Sequence, residues 1–188
     1  TSVTKQINAD STSWLGDLDA WRTQRVSSLL GPFGWWSITC LVWLDEGANT
    51  VGSGASSTVS LAQRLPDLAA ILVVDGARLT ITPAAGANLT LGDGHKGGAE
   101  PFTEPLTVTG DQAFIVGDEQ PVMVNVVRRG DAWGVRVHDP VHAAGKSVTT
   151  DVAWFGAAPE WALDAEFLPA TDHEEVPISN VIGQVSMQ

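Results

Sequence analysis

The densest group of potential metal ligands in the chain is His138-Asp139-Pro140-Val141-His142. Imidazole and carboxylate suit a divalent metal, and Asp93 or His95 from the Gly92–Gly97 stretch would complete a set such as His138, Asp139 and His95. With Arg136 and loop residues near His95, such a site would serve a hydrolase. The competing use is structural, because Asp before Pro at the end of a strand is a good turn former. His173-Glu174-Glu175 sits on an acidic stretch and reads as solvated surface.

A second chemistry is anion binding. Arg22 and Arg25 lie three apart and share a helix face with part of Trp21. With Arg136 they would form a clamp, so Arg22, Arg25, Trp21 and Arg136 are the candidate ligand-binding residues. The alternative is salt bridging to acidic neighbours with arginine stacked on tryptophan. Eight Trp and no Tyr is unusual usage. Trp14, Trp21, Trp35, Trp36 and Trp43 are expected to form the seam where a helix docks on a sheet, or to line a site for an apolar or sugar-like ligand.

Other chemical signals are weaker. Gly92-Asp93-Gly94-His95-Lys96-Gly97 matches a dinucleotide fingerprint, but Gly98-Ala99-Glu100-Pro101 cannot supply the helix that would meet a pyrophosphate. Ser53 lies between glycines, yet its window, Val51-Gly52-Ser53-Gly54-Ala55, lacks the first Gly of a nucleophile elbow. Lone Cys40 sits in an apolar run with no basic neighbour, which makes it a small buried hydrophobe rather than a reactive thiolate.

The elements that must position these groups follow from pattern. Trp14, Leu15, Leu18, Trp21, Val26, Leu29 and Leu30 recur at helical spacing, and Gly31-Pro32 stops the run, giving an amphipathic helix over 13–30. Beyond it the chain reads as β structure. Strands are expected at 36–44, 50–51, 58–61, 70–75, 77–82, 87–91, 105–109, 112–116 and 121–128. Glu46-Gly47-Ala48-Asn49 reads as a turn, Asp75-Gly76 as a hairpin signal and 92–105 as a long surface loop. Trp133, Val135 and Val137 face inward, with Arg136 and His138 on the opposite face. A last strand pair is expected at 146–154 and 160–168, and one weak strand within 177–187. Many short strands with frequent turns argue a mostly β fold: an antiparallel β-sandwich, or partly open barrel, of about ten strands with one N-terminal helix.

Composition bounds the function. The chain has 188 residues, 44% hydrophobic and 17% charged, which is globular rather than disordered. Its length fits a flexible N-terminus over 1–12, one domain over 13–169, and an acidic tail or further β element over 170–188. A formal net charge of −12 disfavours nucleic acid and anionic membrane as partners. No apolar run approaches the roughly 18 residues of a membrane span. One Cys leaves no intramolecular disulfide and no cysteine-based zinc cluster. The first residues show no basic segment followed by an apolar one, so a cytoplasmic location is expected.

One resemblance sharpens this. The run Leu18-x-x-Trp21-Arg22-x-x-Arg25, Leu29, Gly31-Pro32 and Gly34-Trp35-Trp36-Ser37 continues into Leu41-x-Trp43-Leu44-x-Glu46-Gly47-x-Asn49, Gly52-Ser53 and Leu61. Further on come Trp133-Gly134-Val135-Arg136-Val137-x-Asp139-Pro140, Trp154-Phe155 and Pro159-x-Trp161. Over roughly 14–183 this resembles the bacterial family known as domain of unknown function 1684. The likeness implies a β-rich bacterial protein and supplies no activity. Family members continue past a segment like Asn180-Val181-Ile182-Gly183 into further strands with an Asn-Arg and Cys-Pro-rich stretch, which this sequence does not include. Glu46-Gly47-x-Asn49-x-Val51-Gly52-Ser53 with Val59-x-Leu61 is also similar to the first strands of forkhead-associated domains. Those sandwiches bind phosphothreonine peptides, but Ser53 stands where their phosphate-binding Arg would be, and no Ser-x-x-His follows in 66–72.

The expectation is a ligand- or protein-binding module with no cofactor, its partner a protein or small molecule. The alternative is a hydrolase with a divalent metal around His138 and Asp139. A third reading is an interaction fragment that needs a further C-terminal part, and that would show an exposed apolar edge or form a homodimer through it.

Overall fold

Alternation is cleanest where two expected strands meet. Ala70, Leu72, Val74, Leu79 and Ile81 are buried, whereas Val73, Asp75 and Arg78 are exposed. A strand sends successive side chains to opposite faces, so this pattern sets one face against a core. The structure is a computed structural model that describes residues 13–92, 100–145, 152–158, 166, 177–179 and 185–187. The chain divides into two compact units, Thr1–Arg22 with Asp151–Gln188 and Thr23–Thr150.

The Thr23–Thr150 unit is mostly β. Its strands are β1 (Ile38–Trp43), β2 (Gly47–Gly52), β3 (Val59–Ser60), β4 (Ala70–Asp75), β5 (Arg78–Pro83), β6 (Leu89–Gly92), β7 (Leu106–Val108), β8 (Gln112–Val116), β9 (Val122–Arg129) and β10 (Ala132–His138). They form two five-stranded sheets, ordered β1-β10-β9-β8-β6 and β3-β2-β4-β5-β7. All pairs are antiparallel except β2 with β3. One hydrophobic cluster joins the sheets, with Val51, Leu72, Leu79 and Ile81 from one and Phe114, Val124, Trp133 and Val135 from the other. This is a β-sandwich. The Trp133 indole crosses the core and donates from Nε1 to the Gly76 carbonyl at 2.9 Å, so the hairpin tip of one sheet is tied to a strand of the other.

Strands β8 and β9 are buried on both faces. Behind the main core, Ala113, Ile115 and Met123 form a second cluster under Phe33. That explains why 121–128 carries an unbroken apolar run rather than alternation.

In the other unit, β11 (Pro177–Ser179) pairs antiparallel with β12 (Val185–Met187). The helix α1 spans Ser13–Leu30, matching the expected bounds, and the division between the units falls within it, after Arg22. Trp14, Leu18, Arg22 and Val26 recur every fourth residue on its half-buried side, while Leu15 and Trp21 are exposed. A short helix, α2 (Pro140–Ala144), follows β10.

Several expectations need correction. The hairpin turn is Gly76-Ala77, not Asp75-Gly76: Asp75 pairs with Arg78, and Gly76 takes φ +52°. Glu46–Asn49 is not wholly a turn, since β2 begins at Gly47; Asn49 sits in the strand while its side chain bonds the Asp45 amide and carbonyl. The 92–105 loop is shorter than expected, because Leu91 and Phe102 amides bond across it to Glu100 and Leu89 carbonyls. No strand occurs at 152–158; the rest of the pair expected at 146–154 and 160–168 lies almost wholly outside the described residues. The 177–187 stretch holds two short strands rather than one.

The tryptophan seam is also corrected. Trp35 is 62% exposed, and Trp21, Trp36 and Trp43 are exposed as well. Trp43 lies on the outward side of β1 against Gly134, which a Cβ would crowd. Among the described residues the tryptophan that fills the core is Trp133. His138 is buried although it faces away from Trp133, because the 3-10 turn Trp35–Ser37 covers it.

Candidate binding site

The helical spacing that builds α1 also builds a cleft. Trp14, Leu18 and Arg22 are four apart and share one face. Phe155, Gly156, Ala157 and Ala158 complete the lining, and the cleft holds about 450 Å3. That lies in the range of small-molecule sites. Small residues at 156–158 leave the space open, and Phe155 stands 96% exposed.

Arg22 is fixed from three sides. Nη2 donates to the Phe155 carbonyl at 2.8 Å, and Nη1 donates to Asp19 Oδ1 at 3.3 Å. The guanidinium carbon lies 5.6 Å from the Trp154 ring centre, a cation–π arrangement. Trp154 in turn meets Trp21 edge-on, with ring centres 5.5 Å apart. The arginine is therefore held in one orientation beside an apolar space, which is what recognition of an amphiphile requires.

The other expected ligand-binding residues are placed separately. Trp21 and Arg22 belong to the same unit and meet through Trp154. Arg25 and Arg136 belong to the sandwich unit. Arg25 is exposed, and Arg136 stacks over Trp35 at 5.7 Å.

The expected metal residues are organised for another purpose. Arg64 grips Asp139, with Nη2 to Oδ1 at 2.7 Å and Nη1 to Oδ2 at 3.1 Å. Oδ1 also accepts from the Val141 and His142 amides, so Asp139 caps α2 with Pro140 in the first turn. What reads as a turn signal is thus a helix start. Burial alone would raise the Asp139 carboxyl, but the Arg64 and amide hydrogen bonds and the Arg64 charge outweigh it and hold it below the usual carboxylate range.

His138 Nδ1 lies 3.1 Å from Ser37 Oγ and 3.2 Å from the Gly34 carbonyl. A serine beside a histidine is the pattern of an activated nucleophile. Here Ser37 donates its proton to Gly34 O at 2.7 Å and is 0% exposed. With that proton committed to a backbone carbonyl and the hydroxyl buried, the pair is not arranged as an accessible nucleophile and base. The pair bolts the Trp35–Ser37 turn to the end of β10, and the Asp139 amide bonds the Ser37 carbonyl at 2.8 Å in support. His95 and the His173-Glu174-Glu175 cluster lie outside the described residues. Among the described residues no three His, Cys, Asp or Glu side chains gather as a metal site would need.

Ser53 is likewise structural. Its hydroxyl donates to the Leu65 carbonyl at 2.7 Å, and its amide bonds the Pro66 carbonyl. Cys40 is half-buried, and burial pushes its thiol up against the smaller opposing effect of bonds from Thr39 and Val137.

Sequence reasoning singles out Arg22 and Trp21 but misses the wall opposite them. Trp154-Phe155 stands out in the sequence as a motif without a role, and Gly156–Ala158 carries no signal beyond small size. Arg64 is also missed, since nothing local marks which arginine meets an acid 75 residues away. Among the described residues no helix is long and apolar enough to cross a membrane. No model of a known protein family matches the chain, and no curated protein matches it.

Proposed function

We propose that the protein is a ligand-binding β-sandwich module and that the Arg22 cleft receives a small molecule. One observation carries the reading: an immobilised guanidinium borders an open apolar cleft whose rim bears an almost wholly exposed phenylalanine. Phe155 adjoins the exposed Trp154, which meets the exposed Trp21, and contiguous exposed apolar surface marks interaction sites. The sandwich-like first strands, similar to forkhead-associated domains, fit a binding role. The reading includes a cytoplasmic location, where a lone thiol stays reduced.

The hydrolase alternative draws less support. Its best nucleophile candidates, Ser37 and Ser53, are buried and committed to backbone carbonyls, and Asp139 is committed to Arg64.

A thermal-shift screen of small amphiphiles against wild type and Leu18→Trp tests the proposal. Leu18→Trp fills the cleft. Ligands that bind there raise the wild-type midpoint and leave the variant unmoved, because binding to the folded state alone stabilises it. Equal shifts in both proteins would overturn the assignment.

A further inference from the structure

We infer that the cleft takes an amphiphilic carboxylate, its apolar body against Trp14, Leu18 and Phe155 and its carboxylate on Arg22. The inference rests on the cleft being a ligand site and goes beyond it by fixing the ligand's charge. Among the described lining residues Arg22 alone is charged. A guanidinium offers five N–H donors. Among the described residues two bonds are present, one each on Nη1 and Nη2, which leaves further N–H donors on a side chain that is 21% exposed. A charged acceptor is the strongest partner for such donors.

The acceptor now on Nη1 is Asp19, which is 74% exposed and 3.3 Å away. Such a surface pair is weak. An entering carboxylate can take its place, so one anion replaces another and no buried charge is stranded. Phe155 and Trp154 hold the guanidinium while this exchange occurs. With a formal net charge of −12, the chain does not draw anions from a distance. Affinity must come from contact, which favours a ligand with a substantial apolar body over a small inorganic anion.

The test is calorimetric titration of the full chain with decanoate and with decanol, which share a chain and differ in the head. Decanoate is expected to bind on the order of tenfold to a hundredfold more tightly, the range of a charge-assisted hydrogen bond. Arg22→Met should bring decanoate down to the level that decanol reaches in the same variant. Asp19→Asn should tighten decanoate several-fold without affecting decanol. A destabilised fold cannot imitate that gain, so Asp19→Asn decides the matter if Arg22→Met folds poorly. Equal binding of the two probes to wild type, or no gain in Asp19→Asn, overturns the inference and leaves the cleft as a neutral ligand site. Binding of neither probe overturns both the inference and the ligand-site reading beneath it.

Discussion

Arg64 and Asp139 meet through a two-pronged contact of 2.7 and 3.1 Å that joins the loop after β3 to the end of β10. The two residues stand in segments belonging to opposite sheets, so the pair links the layers at one end of the sandwich. Arg64 Nε also donates to the Gln120 carbonyl at 3.2 Å, which brings in the turn before β9. Asp139 is buried and starts α2, while Arg64 retains some exposure. A bidentate pair in this half-buried setting contributes more than an open surface pair.

The Asp139 carboxyl lies below its ordinary value of 3.8 in the folded protein. Its contribution to stability is therefore complete above that value and is lost as pH falls through the lower folded value. Asp139→Asn keeps a good helix cap but removes the charge, and should cost about 1–3 kcal/mol at neutral pH. The difference from wild type should shrink on acidification below about pH 4, as the wild-type carboxylate protonates. Urea unfolding at several pH values reads this directly. A deficit that stays constant down to pH values well below 3.8 would contradict it.

Gly52 and Gly16 should respond in opposite directions to alanine. A Cβ at Gly52 would collide with the Asp67 carbonyl, whereas one at Gly16 meets nothing within 4 Å. Gly52→Ala is expected to destabilise by about 1–3 kcal/mol through overpacking. Gly16→Ala should stabilise α1 by about 0.5–1 kcal/mol. Thermal midpoints of the two variants give the comparison.

Tryptophan exposure has an optical consequence. Trp133 is buried at 1% exposure, while Trp21, Trp35, Trp36, Trp43 and Trp154 are exposed. Iodide should quench most of the emission and spare a blue-shifted fraction. Trp133→Phe should diminish that protected fraction, and should also cost roughly 1 kcal/mol through the lost bond to Gly76. A protected fraction unchanged by the substitution would contradict the burial of Trp133.

Cys40 should be a slow thiol. Burial raises its pKa, so less thiolate is present at neutral pH. Its reaction with an aromatic disulfide reagent is expected to be several-fold faster in urea than in the folded protein, and equal rates would show that the thiol is accessible.

The sandwich was legible where alternation or Gly–Pro punctuation was strong. Helix α1 ends at Leu30 as Gly31-Pro32 requires, and β4, β5, β8 and β9 fall within a residue or two of expectation. Periodicity could not tell that Trp35, Trp36 and Trp43 stay at the surface. An apolar residue at a strand position does not reveal whether anything covers that face, and β1 is an edge strand with one side outward. The Asp139-Pro140 pair marks the end of β10 as expected, but it starts α2 rather than a turn, and its Arg64 partner depends on long-range pairing. The cleft was half legible: Trp14, Leu18 and Arg22 declare a shared face by spacing, whereas the opposing 155–158 backbone has no period to read.

The central claim is that the cleft lined by Trp14, Leu18, Arg22 and Phe155 is where this protein binds a small molecule. The most direct measurement is a titration of isotopically labelled protein with a small amphiphile, followed by NMR at the Trp14 indole and the amides of 155–158. Saturable shifts confined to those signals and abolished in Leu18→Trp are expected. Shifts scattered over the sandwich, or unchanged in Leu18→Trp, would contradict it.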